Sequence, residues 1–146
     1  MADNETFDRL ANLLNRENEN LDLLEKEVNK GSFDFNTTDE KGYTLLHIST
    51  KRNNPEAIKI ILKSKSVNPN LTNQDGYSPI MDACRLGKGK ALEELLKFDS
   101  IILEAVDVEH NNIKDLLDAS KVISEDTKNM MINMIEKKKK KKQGFS

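Results

Sequence analysis

The chain repeats itself. Residues 36–63 align with residues 70–97 at a constant offset of 34, without a gap. Asn36 falls on Asn70, Gly42 on Gly76, Tyr43 on Tyr77 and Thr44 on Ser78; Ala57, Leu62 and Lys63 fall on Ala91, Leu96 and Lys97. Chance supplies one or two such matches but not an ungapped run. A period of this length is the mark of a chain built from small stacked units, none of which buries a core alone.

Each unit reads as a turn, a short helix, a reversal and a longer helix. Asp39-Glu40-Lys41-Gly42 and Asn73-Gln74-Asp75-Gly76 are polar and end in Gly, which supplies a positive φ without steric cost. Thr44 and Ser78 follow where a helix N-cap belongs, and Pro79 stands at the first helical position. Leu45, Leu46 and Ile48, then Ile80 and Ala83, make the first helix apolar. Gly87 closes it in one copy and Asn53 in the other, and Pro55 opens the next helix. Ala57, Ile58, Ile61 and Leu62 match Ala91, Leu92, Leu95 and Leu96, a spacing that gathers each set on one helical face.

Gly-Tyr-Thr-Leu-Leu-His (42–47) and Gly-Tyr-Ser-Pro-Ile-Met-Asp-Ala (76–83) resemble the ankyrin motif Gly-x-Thr-Pro-Leu-His-x-Ala. Residues 31–36 and 64–70 resemble the Gly-Ala-Asp-x-Asn segment that leads, strand-like, into each ankyrin turn. Leu45 replaces the usual Pro, Met81 the usual His, and the period is 34 rather than the common 33. The resemblance implies an all-α solenoid of about four helix-turn-helix repeats with short β-turn fingers. It also implies that His47 bridges neighbouring turns through its ring nitrogens.

The expected domain is 1–136. It divides into an N-terminal capping repeat at 6–36, repeats at 37–70 and 71–104, and a C-terminal capping repeat at 105–136. Stripes of Phe7, Leu10, Ala11, Leu13 and Leu14, then Leu21, Leu23, Leu24 and Val28, supply the first cap. Asn112–Ser120 reads as a degraded first helix, reached after one or two inserted residues, with His110 a surface turn residue at the insertion. Ser124 then caps a last helix, on which Met130, Met131, Met134 and Ile135 form an apolar packing edge. Residues 137–146 are expected to be a lysine-rich disordered tail.

Charge is split along the chain. Of 23 basic and 25 acidic side chains, six basic ones are the run Lys137, Lys138, Lys139, Lys140, Lys141 and Lys142. Residues 1–136 therefore carry 17 basic groups against all 25 acids, a formal −8, and the tail carries +6. The run reads as a solvated tail, a nuclear-import or polyanion contact, or a weak contact with an anionic membrane surface. No apolar run approaches the roughly 20 residues of a spanning helix, and the first ten residues carry no secretory pattern. Cys84 is the lone cysteine. A reducing location, cytoplasmic or nuclear, is the expectation.

The residues for chemistry are few. Two histidines and one cysteine on separate units match no zinc spacing, so no metal ligand is assigned. Cys84 occupies a small-residue packing position. Gly87-Lys-Gly-Lys90 lacks the phosphate-loop pattern and sits at a helix reversal, and no cofactor is expected. Glu93 and Glu94 are placed to pair with Lys97 on a solvated face. No nucleophile–base set is arguable, so no catalytic residue is named and the chain is expected not to be an enzyme.

What the resemblance does imply is a binding face. In ankyrin stacks the turn tips and the exposed side of the first helices line a groove. The residues matching it are Glu40, Lys41, Tyr43, Lys51 and Arg52 in one repeat and Gln74, Asp75, Tyr77, Arg85 and Leu86 in the next. Both tyrosines of the chain are among them, and Tyr and Arg are favoured at interface hot spots; the plainer reading is that they shield the stack. A monomer that binds another protein as scaffold or stoichiometric regulator is the expected function. A polyanion binder driven by the lysine run is the alternative.

Overall fold

The computed structural model describes residues 2–16 and 20–144. Residues 17–19 of the first cap and 145–146 of the tail lie outside them. Eight helices are described: α1 Ala2–Asn15, α2 Asp22–Lys30, α3 Leu45–Lys51, α4 Pro55–Leu62, α5 Pro79–Leu86, α6 Gly89–Leu95, α7 Ile113–Ala119 and α8 Glu125–Lys142. They form two layers. In one, α3 packs on α1, α5 on α3 and α7 on α5; in the other, α4 packs on α2, α6 on α4 and α8 on α6. The core lies between the layers, where Leu46, Ile58, Ile61, Ile80, Leu92 and Leu95 are fully buried. Ser49 and Thr50 are buried with them, and their hydroxyls donate back to the carbonyls of Leu45 and Leu46 at 2.9 and 2.8 Å. No β-strand or bridge occurs among the described residues, so the lead-in segments end in fingers that are turns alone.

The turns show why the period survives where sequence similarity fades. Asp39 Oδ1 accepts the N–H groups of Lys41 and Tyr43, Asn73 Oδ1 those of Asp75 and Tyr77, and Asp107 Oδ1 those of Glu109 and Asn111. In each finger the fourth residue has positive φ: Gly42 at 86°, Gly76 at 83° and His110 at 68°. The spacing is 34 each time, so the insertion expected before the last helix pair is absent. His110 holds the place of the glycines, and the turn acceptor sets the geometry.

The next residues but one, Thr44, Ser78 and Asn112, are the N-caps of α3, α5 and α7. Each cap is closed by the side chain three residues on, with a different chemistry each time. The cap's own N–H meets the His47 imidazole at 3.1 Å, the Met81 sulfur at 3.4 Å and the Asp115 carboxylate at 3.0 Å.

The lysine run departs from expectation: it is helical to Lys142. Helix α8 starts from Ser124, whose hydroxyl accepts the N–H of Thr127, and buries Met131 and Ile135. Met134 is half-buried, and Met130 is largely exposed, with its Cε 3.6 Å from where a Cβ on Gly89 of α6 would stand. Once nucleated by that buried stripe, the helix extends readily through lysine, a good helix former favoured at a helix C-terminus. Lys142 Nζ donates to the carbonyl of Ile101 at 2.6 Å, and Gly144 then turns the chain with φ of 84°.

Candidate functional site: the finger side of the stack

Tyr43 and Tyr77 occupy equivalent places beside successive fingers, and each carries a cation on its ring. Lys51 Nζ lies 3.9 Å from the centroid of Tyr43, and Arg85 Cζ lies 4.7 Å from that of Tyr77. In both cases the cation comes from eight residues on, at the last turn of the helix that follows the tyrosine. All four side chains are half-buried. The third finger has Asn111 and Ala119 at these places, so the pairing is confined to two neighbouring units.

Arg85 is further fixed by Asp82. Its Nε and Nη2 donate to Asp82 Oδ1 at 3.2 and 2.9 Å, and the Asp82 side chain is wholly buried. Asp82 Oδ2 has no protein partner. The same register position holds Ile48 in one unit and Leu116 in another. A carboxylate thus stands where the neighbouring units carry an aliphatic residue, and it orients the Arg85 guanidinium. The field of Arg85 also opposes the two leading influences on the Tyr77 hydroxyl, burial and the Asp107 carboxylate, which raise its pKa.

His47 ties the two units together. Its Nδ1 accepts the N–H of Thr44, so the proton sits on Nε2, which donates to the carbonyl of Tyr77 at 2.9 Å. Burial pushes the imidazole below its ordinary pKa, against the opposing pull of that carbonyl and of Asp82. The Tyr43 ring stands edge-on to it, with centroids 5.6 Å apart. Gln74 adds a second tie, its backbone N–H donating to the carbonyl of Lys41 at 3.0 Å and its Nε2 to that of Glu40 at 2.7 Å.

Repeating turns, matched caps and this bridging histidine form one pattern, and a family model described as ankyrin repeats (3 copies) matches residues 10–112. The chain belongs to the ankyrin-repeat family. No curated protein matches it. Ankyrin repeats are in general protein–protein interaction modules, and no helix among the described residues is long and apolar enough to cross a membrane.

In this ankyrin stack, Glu40, Lys41, Arg52, Gln74 and Asp75 are exposed, while Leu86 is half-buried like the four ring-and-cation residues. The structure brings together Tyr43 with Lys51, Tyr77 with Arg85, and the Gln74 tip with the preceding finger. Two features escaped sequence reading. One is the acceptor at 39, 73 and 107, which the constant spacing of 34 could have revealed. The other is Asp82, whose charge stood out only as an acid at an aliphatic register position.

Burial pushes the Cys84 thiol up to about 12, so it stays protonated in its packing place. Lys97 pairs with Glu94 at 3.0 Å, and Glu93 is exposed. Among the described residues no three His, Cys, Asp or Glu side chains gather to hold a metal ion.

Proposed function

We propose that this ankyrin stack is a protein-binding module, acting as scaffold or stoichiometric regulator, whose groove takes an acidic segment of its partner. The observation that carries the reading is the pair of cations, Lys51 on Tyr43 and Arg85 on Tyr77, at equivalent places on adjacent units. A cation resting on an aromatic face is preorganised, so little side-chain freedom is left to lose when an anion arrives. Lys51 keeps its ammonium donors for that anion, and Arg85 retains donors beyond the two spent on Asp82. Exposed Arg52 extends the same charge. Tyrosine beside arginine is also the composition favoured at interface centres. We read the module as a non-enzymatic monomer of the cytoplasm or nucleus, where a lone thiol such as Cys84 stays reduced.

The test is affinity capture with the immobilised protein, comparing wild type with Tyr43→Ala/Tyr77→Ala and with Lys51→Gln. Wild type should enrich proteins that the double variant releases, and Lys51→Gln should hold them more weakly, while all three melt alike. Equal capture by folded variants would remove the groove from the reading. A double variant that unfolds would make the tyrosines structural.

A further inference from the structure

We infer that the last turns of α8 are a preformed site for the phosphodiester backbone of duplex nucleic acid, read without regard to sequence. The lysines are presented by a fixed element. Met131 and Ile135 bury one side of α8, and Lys142 fastens the far end to the carbonyl of Ile101, 41 residues away in sequence. Lys128, on the buried side, pairs with Glu125 and donates to the carbonyl of Asp118. Among the described residues none of Lys137–Lys142 forms a salt bridge. Their charges repel one another at helical spacings of three and four, an arrangement that a bound anion relieves.

A helix rises ~1.5 Å per residue, so the outward face carries three cations, Lys137, Lys140 and Lys141, within about 6 Å of axis, a span over which a duplex presents about three to four phosphate charges. Lys137, Lys140 and Lys141 are exposed and lie one helical turn apart on the side away from the stack. Between Glu136 and Gly144 no apolar side chain accompanies them, so among these residues charge alone would draw an anionic bilayer. Both tyrosines lie beside the fingers of the other layer, and among the described residues no ring interaction involves Lys137–Lys142. The remainder of the chain, at −8, repels a polyanion and confines contact to this helix end.

The test is anisotropy of a labelled mixed-sequence duplex of about 20 base pairs, titrated with the full chain across salt. Three backbone contacts give a log–log salt slope near −2.7, a loss of roughly 40-fold in affinity between about 50 and 200 mM salt. Lys137→Gln/Lys140→Gln/Lys141→Gln should lose most binding at low salt with an unchanged circular dichroism spectrum and melting curve. The same three positions changed to Arg should keep it. Absence of salt-dependent binding, or full binding by the folded Gln variant, would overturn the proposal. So would tighter association with phosphatidylcholine vesicles containing about a quarter phosphatidylserine than with the duplex.

Discussion

Asn53 caps a helix that belongs to the next unit: its Oδ1 accepts the N–H of Ala91 at 3.0 Å. Ala91 is the third residue of α6, whose own N-cap, Lys88, has no side chain able to accept that bond. Asn53 also follows the C-cap of α3 at a φ of 52°, so one residue turns the chain out of one helix by its backbone and starts another by its side chain. Asn53→Ala should cost about 1–3 kcal/mol, combining a lost cap with a strained backbone. Asn53→Gly should cost about 1 kcal/mol less, since glycine accepts the positive φ. Urea denaturation of the three proteins gives the ranking, and an Asn53→Ala protein as stable as wild type would refute the shared cap.

The fourth finger position predicts opposite signs for two substitutions. At Gly76 a Cβ would stand 3.0 Å from the backbone nitrogen of Val108, in a residue already at positive φ. Gly76→Val should therefore cost about 1–3 kcal/mol. At the equivalent His110, glycine removes strain, and His110→Gly should stabilise by about 0.5–1 kcal/mol. Thermal melts that shift in the same direction for both would mean the two turns are not equivalent.

Stability should fall in mild acid because of His47. Its folded pKa lies below the ordinary 6.5, so the native state favours the neutral ring. The unfolded chain then binds more protons between the two values, and stability rises with pH there. The contribution is complete above about 6.5 and is lost as pH falls towards the lowered folded value. His47→Met, copying Met81 at the same position, should flatten this segment of the profile. Urea midpoints measured from neutral to mildly acidic pH decide it, and an unchanged slope in His47→Met would assign the dependence to other groups.

Arg85 and Asp82 should respond asymmetrically. Arg85→Ala leaves a buried carboxylate without its cation and should cost about 2–3 kcal/mol, less than for a fully buried pair because Arg85 is partly exposed. Asp82→Leu with Arg85→Ala restores the aliphatic side chain found at the equivalent Leu116 and should recover that loss or exceed it. Denaturant titration of the single and double variants provides the comparison. A double variant less stable than Arg85→Ala would show that Asp82 does more for the core than hold Arg85.

Much of this fold was legible because Gly42 and Gly76, Thr44 and Ser78, and the apolar sets on α4 and α6 state their roles by residue type. Even the bridge through His47 follows from the family motif that His47 matches. The last unit was harder to read because His110 stands where glycine is usual and Asn112 where a hydroxyl is usual. Their equivalence rests on the Asp107 carboxylate, held below its ordinary pKa by the N–H groups of Asn111 and Glu109. The lysine helix was not legible at all. Six like charges in isolation favour an extended chain, and only burial of Met131 and Ile135 and the anchor at Ile101 make them helical. Beside the fingers the tyrosines and cations were named from the resemblance to ankyrin repeats, but the placing of Arg85 also depends on Asp82, which lies in the core and shows no surface pattern.

The side-chain ties between units are unevenly spread along the stack. Asn36 and Asn70 each accept a backbone N–H of the following lead-in segment, from Asn68 and Ile102, and donate to its carbonyls at Ser66 and Ser100. Between the second and third units stand the bonds of His47, Gln74 and Asn53 as well. Glu104 replaces the next asparagine, Met81 the next bridging histidine, and Val108 the next glutamine. The final pair is thus held mainly by apolar contact and by Lys142. A stack governed by nearest-neighbour terms peels from its least-stitched end. The middle units would keep their amide protons longest, and Lys142 is the tie whose loss would let α7 and α8 exchange first.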